Sequence, residues 1–189
     1  MIIKKLSSLF KKTEADTVLK SSIMLGVDPR SSSADKLTPY APLPHIIRKS
    51  LARVQNRLPI PNICCNCESG EVSLVSNSEI YGKEFGDWPY AYLCKSCDSY
   101  VGIHKHTDLP LGTLANKETR EARKSEKPYF IKLEKGKALG DRNETYAWLA
   151  GKMKIPKEEC HWSMFDTEQC FEAGAICRLE LKQQKTGLS

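Results

Sequence analysis

The sequence predicts an α+β fold in which a small β ribbon, pinned at its turns, carries helices before and after it. Three observations predict it. Two Cys-x-x-Cys pairs, Cys64-Cys65-Asn66-Cys67 and Cys94-Lys95-Ser96-Cys97, bracket a short insert rich in glycine and aromatic residues. Three short strand candidates lie beside those pairs: Glu71 to Val75 and Tyr90 to Leu93 alternate polar and apolar residues, and Tyr100 to His104 is rich in β-formers. Outside this stretch, apolar residues recur at helical spacing, with capping residues at several starts.

Each Cys pair sits where the chain must turn, and a tight turn presents both sulfurs to one point. Two such turns can therefore converge four thiolates on one tetrahedral Zn²⁺. The expected ligands are Cys64, Cys67, Cys94 and Cys97, holding one structural zinc ion, and the unit is zinc-ribbon-like. Gly70 after the first pair, and Asp98 with Ser99 after the second, are small or turn-forming residues where the chain bends back under the metal. Cys65 could replace Cys64 only with a poorer turn and is placed outside the ligand shell; His104 is the substitute ligand if one is needed. A segment this short buries too little apolar area to fold alone, so the metal would supply folding free energy directly.

In chain order, residues 1–44 form a first region. Ile2, Ile3, Leu6, Leu9 and Phe10 fall near helical spacing among lysines, which predicts a basic helix that docks on the protein or a loose terminus. Ser21 to Pro44 is punctuated by Gly26, Pro29, Pro39, Pro42 and Pro44 and reads as a flexible linker. Residues 45–62 recover periodicity: Ile46, Ile47, Leu51, Val54 and Leu58 against Arg48, Lys49, Arg53 and Arg57. A helix is expected until Pro59 and Pro61 stop it.

Residues 63–112 are the metal unit, and its insert crowds Tyr81, Phe85, Trp88, Tyr90 and Tyr92 beside Lys83. Such rings either stack unpaired bases or fill the core of a small unit. In residues 113–189, a helix is expected from about Asn116 to Ser125 or on past Pro128. Lys117, Arg120, Arg123, Lys124 and Lys127 share one side of it and Glu118, Glu121 and Glu126 lie elsewhere. A row of cations at that spacing can track a phosphate backbone, or it can be a solvated face. Asp141 with Glu144 and Asp166 with Gln169 predict capping boxes opening two more helices, both structural. Cys170 and Cys177 fall two turns apart on the last of these. That is too far for one ion, so Cys160, Cys170 and Cys177 read as buried free thiols.

The 189 residues carry a formal charge of +6, concentrated before the metal unit and after Asn116. Eight cysteines could be a disulfide framework in a secreted protein, but Lys4 and Lys5 interrupt the first apolar run, so a reducing cytoplasm is expected. No run approaches the roughly 18 apolar residues of a membrane span. For catalysis, His104, His106 and Asp108 are the one dense cluster; in a strand both histidines would project to one side and could hold a second metal, as in a nuclease. Four cysteines close the first zinc to water, and no phosphate-cradling glycine loop or nucleophile elbow occurs.

The run Cys64, Cys67, Ile80-Tyr81-Gly82, Phe85-Gly86, Cys94, Cys97, Tyr100-Val101-Gly102, His104, Thr107, Pro110-Leu111-Gly112, Leu114-Ala115-Asn116, Arg120 and Arg123 resembles an uncharacterised zinc-finger-containing domain family of phage and prophage genomes. The likeness continues more weakly through Arg142, Tyr146, Trp148-Leu149-Ala150, His161, Phe165-Asp166 and Cys170. It implies a zinc-bearing core without naming an activity. The family pattern places a His and an Asp around the Phe after the second Arg; here Lys127 and Ile131 stand around Phe130, so any chemistry of that pair is not expected. The leading expectation is a zinc protein that binds nucleic acid through Lys117, Arg120, Arg123, Lys124 and Lys127, helped by the aromatic insert and the basic side of residues 45–58. On that reading Arg120→Glu with Arg123→Glu removes binding and spares the fold. The rivals are a protein-binding module docking on a host machine and the nuclease centred on His104, His106 and Asp108.

Overall fold

The computed structural model describes residues 23–187. The basic helix expected over Met1 to Lys12 lies outside them.

Three strands form one antiparallel sheet in the order β1-β2-β3: β1 Val72–Ser76, β2 Tyr90–Cys94 and β3 Tyr100–Gly102. The register sets Val72 opposite Cys94 and Ser76 opposite Tyr90, then Leu93 opposite Tyr100. Strand β2 is central and is covered on both sides, so its expected alternation is lost: Ala91, Tyr92, Leu93 and Cys94 are all buried. Beyond Gly102 the ladder thins to isolated bridges, Ile103 with Pro110 and Tyr100 with Ala115. The metal-unit core gathers Leu51, Tyr92, Val101, Ile103, Leu109 and Leu114 around Cys64 and Cys94.

Two expectations for the region before the first Cys pair are corrected. Residues 45–58 are not one helix; only α1, Arg48–Leu51, is helical. Its N-cap, Ile47, offers no side-chain acceptor, and no acidic residue stands in the first turn to favour the exposed N–H groups. Most of the apolar residues are buried all the same: Ile46, Leu51 and Val54 reach the β core and Leu58 is buried, while Ile47 stays exposed. The proline-rich stretch read as a linker also packs, over its described part. A short 3₁₀ turn, Pro29–Ser31, is capped by Asp28, and Leu43 is 5% exposed within the core. Arg30 fixes this segment by donating to Asp28 and, with both terminal nitrogens at 2.8 Å, to the fully buried Asp108.

A second short helix, α2, Ser78–Tyr81, follows β1, and three long helices make the other half of the molecule: α3 Lys117–Gly136, α4 Arg142–Met153 and α5 Thr167–Thr186. Asn116 caps α3 by accepting from the Thr119 N–H. The helix runs straight through Pro128 in sequence and ends eleven residues beyond Ser125, because Pro128 and Lys124 are exposed and water can take the carbonyl that loses its donor. Both expected capping boxes form, Asp141 with Glu144 and Asp166 with Gln169. Phe130, Leu133, Leu149, Trp162, Phe165 and the thiols Cys160, Cys170 and Cys177 make a second core. Helices α3 and α5 approach closely at Gly174, where an added Cβ would lie 1.8 Å from the Glu126 carboxylate, which Arg178 of α5 neutralises.

The halves join where the chain leaves the sheet. Gly112 lies so close to Ser163 that a Cβ would stand 2.1 Å from its carbonyl oxygen, which permits the Thr113 N–H to donate to that oxygen at 3.0 Å. No described helix is long and apolar enough to cross a membrane.

Candidate metal centre and the surface around it

Cys64, Cys67, Cys94 and Cys97 converge, with their sulfurs all within 4.8 Å of one another. The Cys64 and Cys97 sulfurs are 3.6 Å apart and those of Cys67 and Cys94 3.5 Å. Four sulfurs each about 2.3 Å from a shared centre stand roughly 3.8 Å apart in a tetrahedron, so the spacing and donor set fit one closed, structural zinc ion. Among the described residues this is the one convergent group of three or more His, Cys, Asp or Glu side chains.

Local backbone builds the two turns alike. In each, the first Cys N–H donates at 2.8 Å to a serine carbonyl five residues on, Cys64 to Ser69 and Cys94 to Ser99. In each, the first Cys carbonyl accepts from residue four on, Glu68 or Asp98, and these two acids adopt left-handed conformations with φ of 57° and 56°. The chain thus repeats Cys-x-x-Cys-acid-Ser, a signal present in the sequence, and the left-handed position of each turn is the acid, whereas the Gly70 backbone is not left-handed. The Ser69 and Ser96 hydroxyls meet at 2.8 Å and tie the turns together. Burial pushes the Cys97 thiol up, but hydrogen bonds from the Ser99 hydroxyl and backbone outweigh it and bring the thiol down to about 7, which favours the thiolate a metal needs. Cys65 lies outside the tetrad, its sulfur 3.3 Å from the Leu114 carbonyl. His104 is not in it either.

The trio His104, His106 and Asp108 does not assemble. The strand ends before it, and His106 takes a left-handed turn conformation at φ 61°, so the two histidines do not share a strand face. Asp108 is committed to Arg30. His106 stacks on His45, with ring nitrogens 3.1 Å apart, and meets Trp88 edge-on. His104 is half-buried, which lowers its pKa.

The five cations of α3 divide. Lys117 and Lys124 are exposed and Lys127 is half-buried. Arg123 turns inward and donates to the Phe165 carbonyl at 3.0 and 2.8 Å and to the Thr113 hydroxyl at 2.8 Å. Substituting it with Glu would leave those acceptors facing a carboxylate, so the double arginine change cannot be expected to spare the fold. Arg120 donates to the Ala115 carbonyl while its guanidinium lies 4.1 Å over the Tyr100 ring.

The aromatic insert divides likewise. Tyr92 is buried, its hydroxyl donating to the Asp108 carbonyl, and Trp88 donates to the Thr107 carbonyl. Tyr81 and Phe85 stay 48% and 50% exposed and pack edge to face. Tyr81 donates to the Tyr100 hydroxyl at 3.1 Å, and the Lys83 ammonium lies 5.0 Å from the Phe85 ring centre.

No curated protein and no solved structure matches the chain. A family model described as a zinc-finger-containing domain matches residues 61–180, which takes in all four cysteines and the three long helices as far as α5. The chain, with its closed four-cysteine tetrad, belongs to that zinc-finger-containing family.

Proposed function

We propose that this zinc-binding protein holds single-stranded nucleic acid on the surface shared by the insert and α3. The observation that carries the reading is the stacking of Arg120 on Tyr100, because it sets the start of α3 against β3, whose Tyr100 hydroxyl accepts from Tyr81 of the insert. From Arg120 the surface continues through Tyr100 to Tyr81 and Phe85 on one side and to Lys117, Lys124 and Lys127 along the helix on the other. Half-exposed rings offer stacking to bases of any identity, and the lysines offer charge to phosphates with release of counterions. The zinc makes the turns beneath this surface rigid.

The test is a fluorescence titration of zinc-loaded protein with a single-stranded oligonucleotide at two salt concentrations. Lys117→Glu with Lys124→Glu should weaken binding and lower the salt slope by about 0.7 for each lost phosphate contact. Phe85→Ala should weaken it by about 1–3 kcal/mol with little change in that slope. Absence of salt-dependent affinity at low salt overturns the reading and favours a protein partner for the same surface.

A further inference from the structure

His106 does not join His104 and Asp108, but it does meet another histidine. His45 Nε2 and His106 Nδ1 stand 3.1 Å apart although 61 residues separate them in the chain. Two imidazole nitrogens that share one ion, each about 2.0–2.1 Å from it, stand roughly 2.9–3.4 Å apart at tetrahedral or octahedral angles. The observed spacing falls inside that interval. Without an ion the same pair makes a hydrogen bond, one nitrogen donating and the other accepting.

Both rings are held in place before any ligand arrives. The Trp88 ring packs against each, with centroids 5.1 Å from His45 and 5.0 Å from His106, and its indole N–H is fixed by donating to the Thr107 carbonyl. The Ile47 N–H donates to the His106 carbonyl at 2.9 Å, which ties the segment carrying one histidine to the turn carrying the other. Groups ordered in advance lose little freedom on binding. His45 is exposed and His106 half-buried, so an ion can reach both from solvent. The cation next to His106 in sequence, Lys105, is paired with Asp87 at 2.8 Å, which offsets its charge.

We propose that His45 and His106 bind one divalent transition-metal ion of the kind imidazole favours, such as Zn²⁺, Ni²⁺ or Cu²⁺, at a site separate from the four-cysteine tetrad. Its remaining positions go to water, so this ion, unlike one enclosed by four thiolates, keeps places open to an incoming oxygen donor. The site does not depend on the surface around Arg120.

The zinc-loaded full chain is titrated with additional Zn²⁺, following the ring signals of the four histidines by NMR and the metal content by equilibrium dialysis. Saturable movement of the His45 and His106 signals is expected, with His161 unmoved and the content rising from one zinc per chain to two. His45→Gln and His106→Asn should each weaken the second binding step about tenfold or more, since losing a ligand costs at least what losing a group that supports a ligand does. Asparagine accepts the left-handed backbone at position 106, so that variant keeps the turn and its tetrad zinc. A content that stays at one zinc per chain, movement of all four histidine signals together, or unchanged affinity in both variants overturns the proposal.

Discussion

The β half and the helical half solve the problem of a small core in different ways. Around the sheet, two of the eleven buried positions of the core are cysteine ligands, Cys64 and Cys94, and most of the others, among them Leu43, Ile46, Val54, Leu109 and Leu114, come from irregular chain. Metal–sulfur bonds there stand in for area the strands cannot bury. Between α3, α4 and α5 the core is instead built from large side chains, Phe130, Leu149, Trp162 and Phe165, all at or below 1% exposure. Its cysteines have the same low exposure but no partners in a tetrad, and burial pushes the Cys160 and Cys177 thiols up to about 12. Burial without an adjacent cation or metal makes a thiol inert, whereas the turns around Cys97 make it a ligand. The difference between the two sets is therefore one of backbone, since the tight turns, not the sulfur, create the site.

Removing the metal is the sharpest way to break this comparison. Chelation, or Cys94→Ser, should abolish ordered packing around Trp88 while leaving most far-UV helical signal. Structural zinc contributes on the order of 10 kcal/mol to such a unit. If the helical signal and the packing of Trp148 and Trp162 vanish at the same chelator concentration, the halves are one cooperative body and the contrast fails. The converse change is Phe130→Ala, expected to cost the helical half about 3–5 kcal/mol. Metal analysis at low temperature should still return one zinc per chain; loss of zinc would show that the helices hold the turns.

Arg123→Ala probes the seam. It removes the fork shared by Phe165 and Thr113, part-buried bonds to a charged donor, and should lower stability by about 2–3 kcal/mol and separate two melting steps that otherwise overlap. The smallest effect is set by pH. The His161 pKa in the folded chain, about 4, lies below its ordinary value of about 6.5, so the unfolded chain binds the proton more tightly. Its contribution is full above pH 6.5 and is lost as pH falls toward 4, on the order of 2 kcal/mol after allowing for partial exposure. His161→Gln should flatten the melting temperature across that interval, and a slope unchanged by the substitution would assign the loss to other groups.

Both cysteine pairs, three strands within a residue or two and both capping boxes were legible because each depends on a spacing of fewer than six residues. The basic row on α3 was legible as a row, but not as a division of labour. Arg123 and Lys124 are neighbours on one helix, and nothing local says that one faces a carbonyl 42 residues away and the other water. Asp108 misled for the same reason. Beside two histidines it suggests a metal, yet its partner is Arg30, 78 residues earlier.

By itself the sequence determined the cysteines that cluster and the starts of the three long helices, since turn geometry and capping are satisfied by residues next to one another. Tertiary structure alone decided which charges are spent internally, that the stretch around Arg30 is packed, and that His106 meets His45. Burying Asp108 requires a distant cation, and a contact between separate elements has no periodicity to announce it.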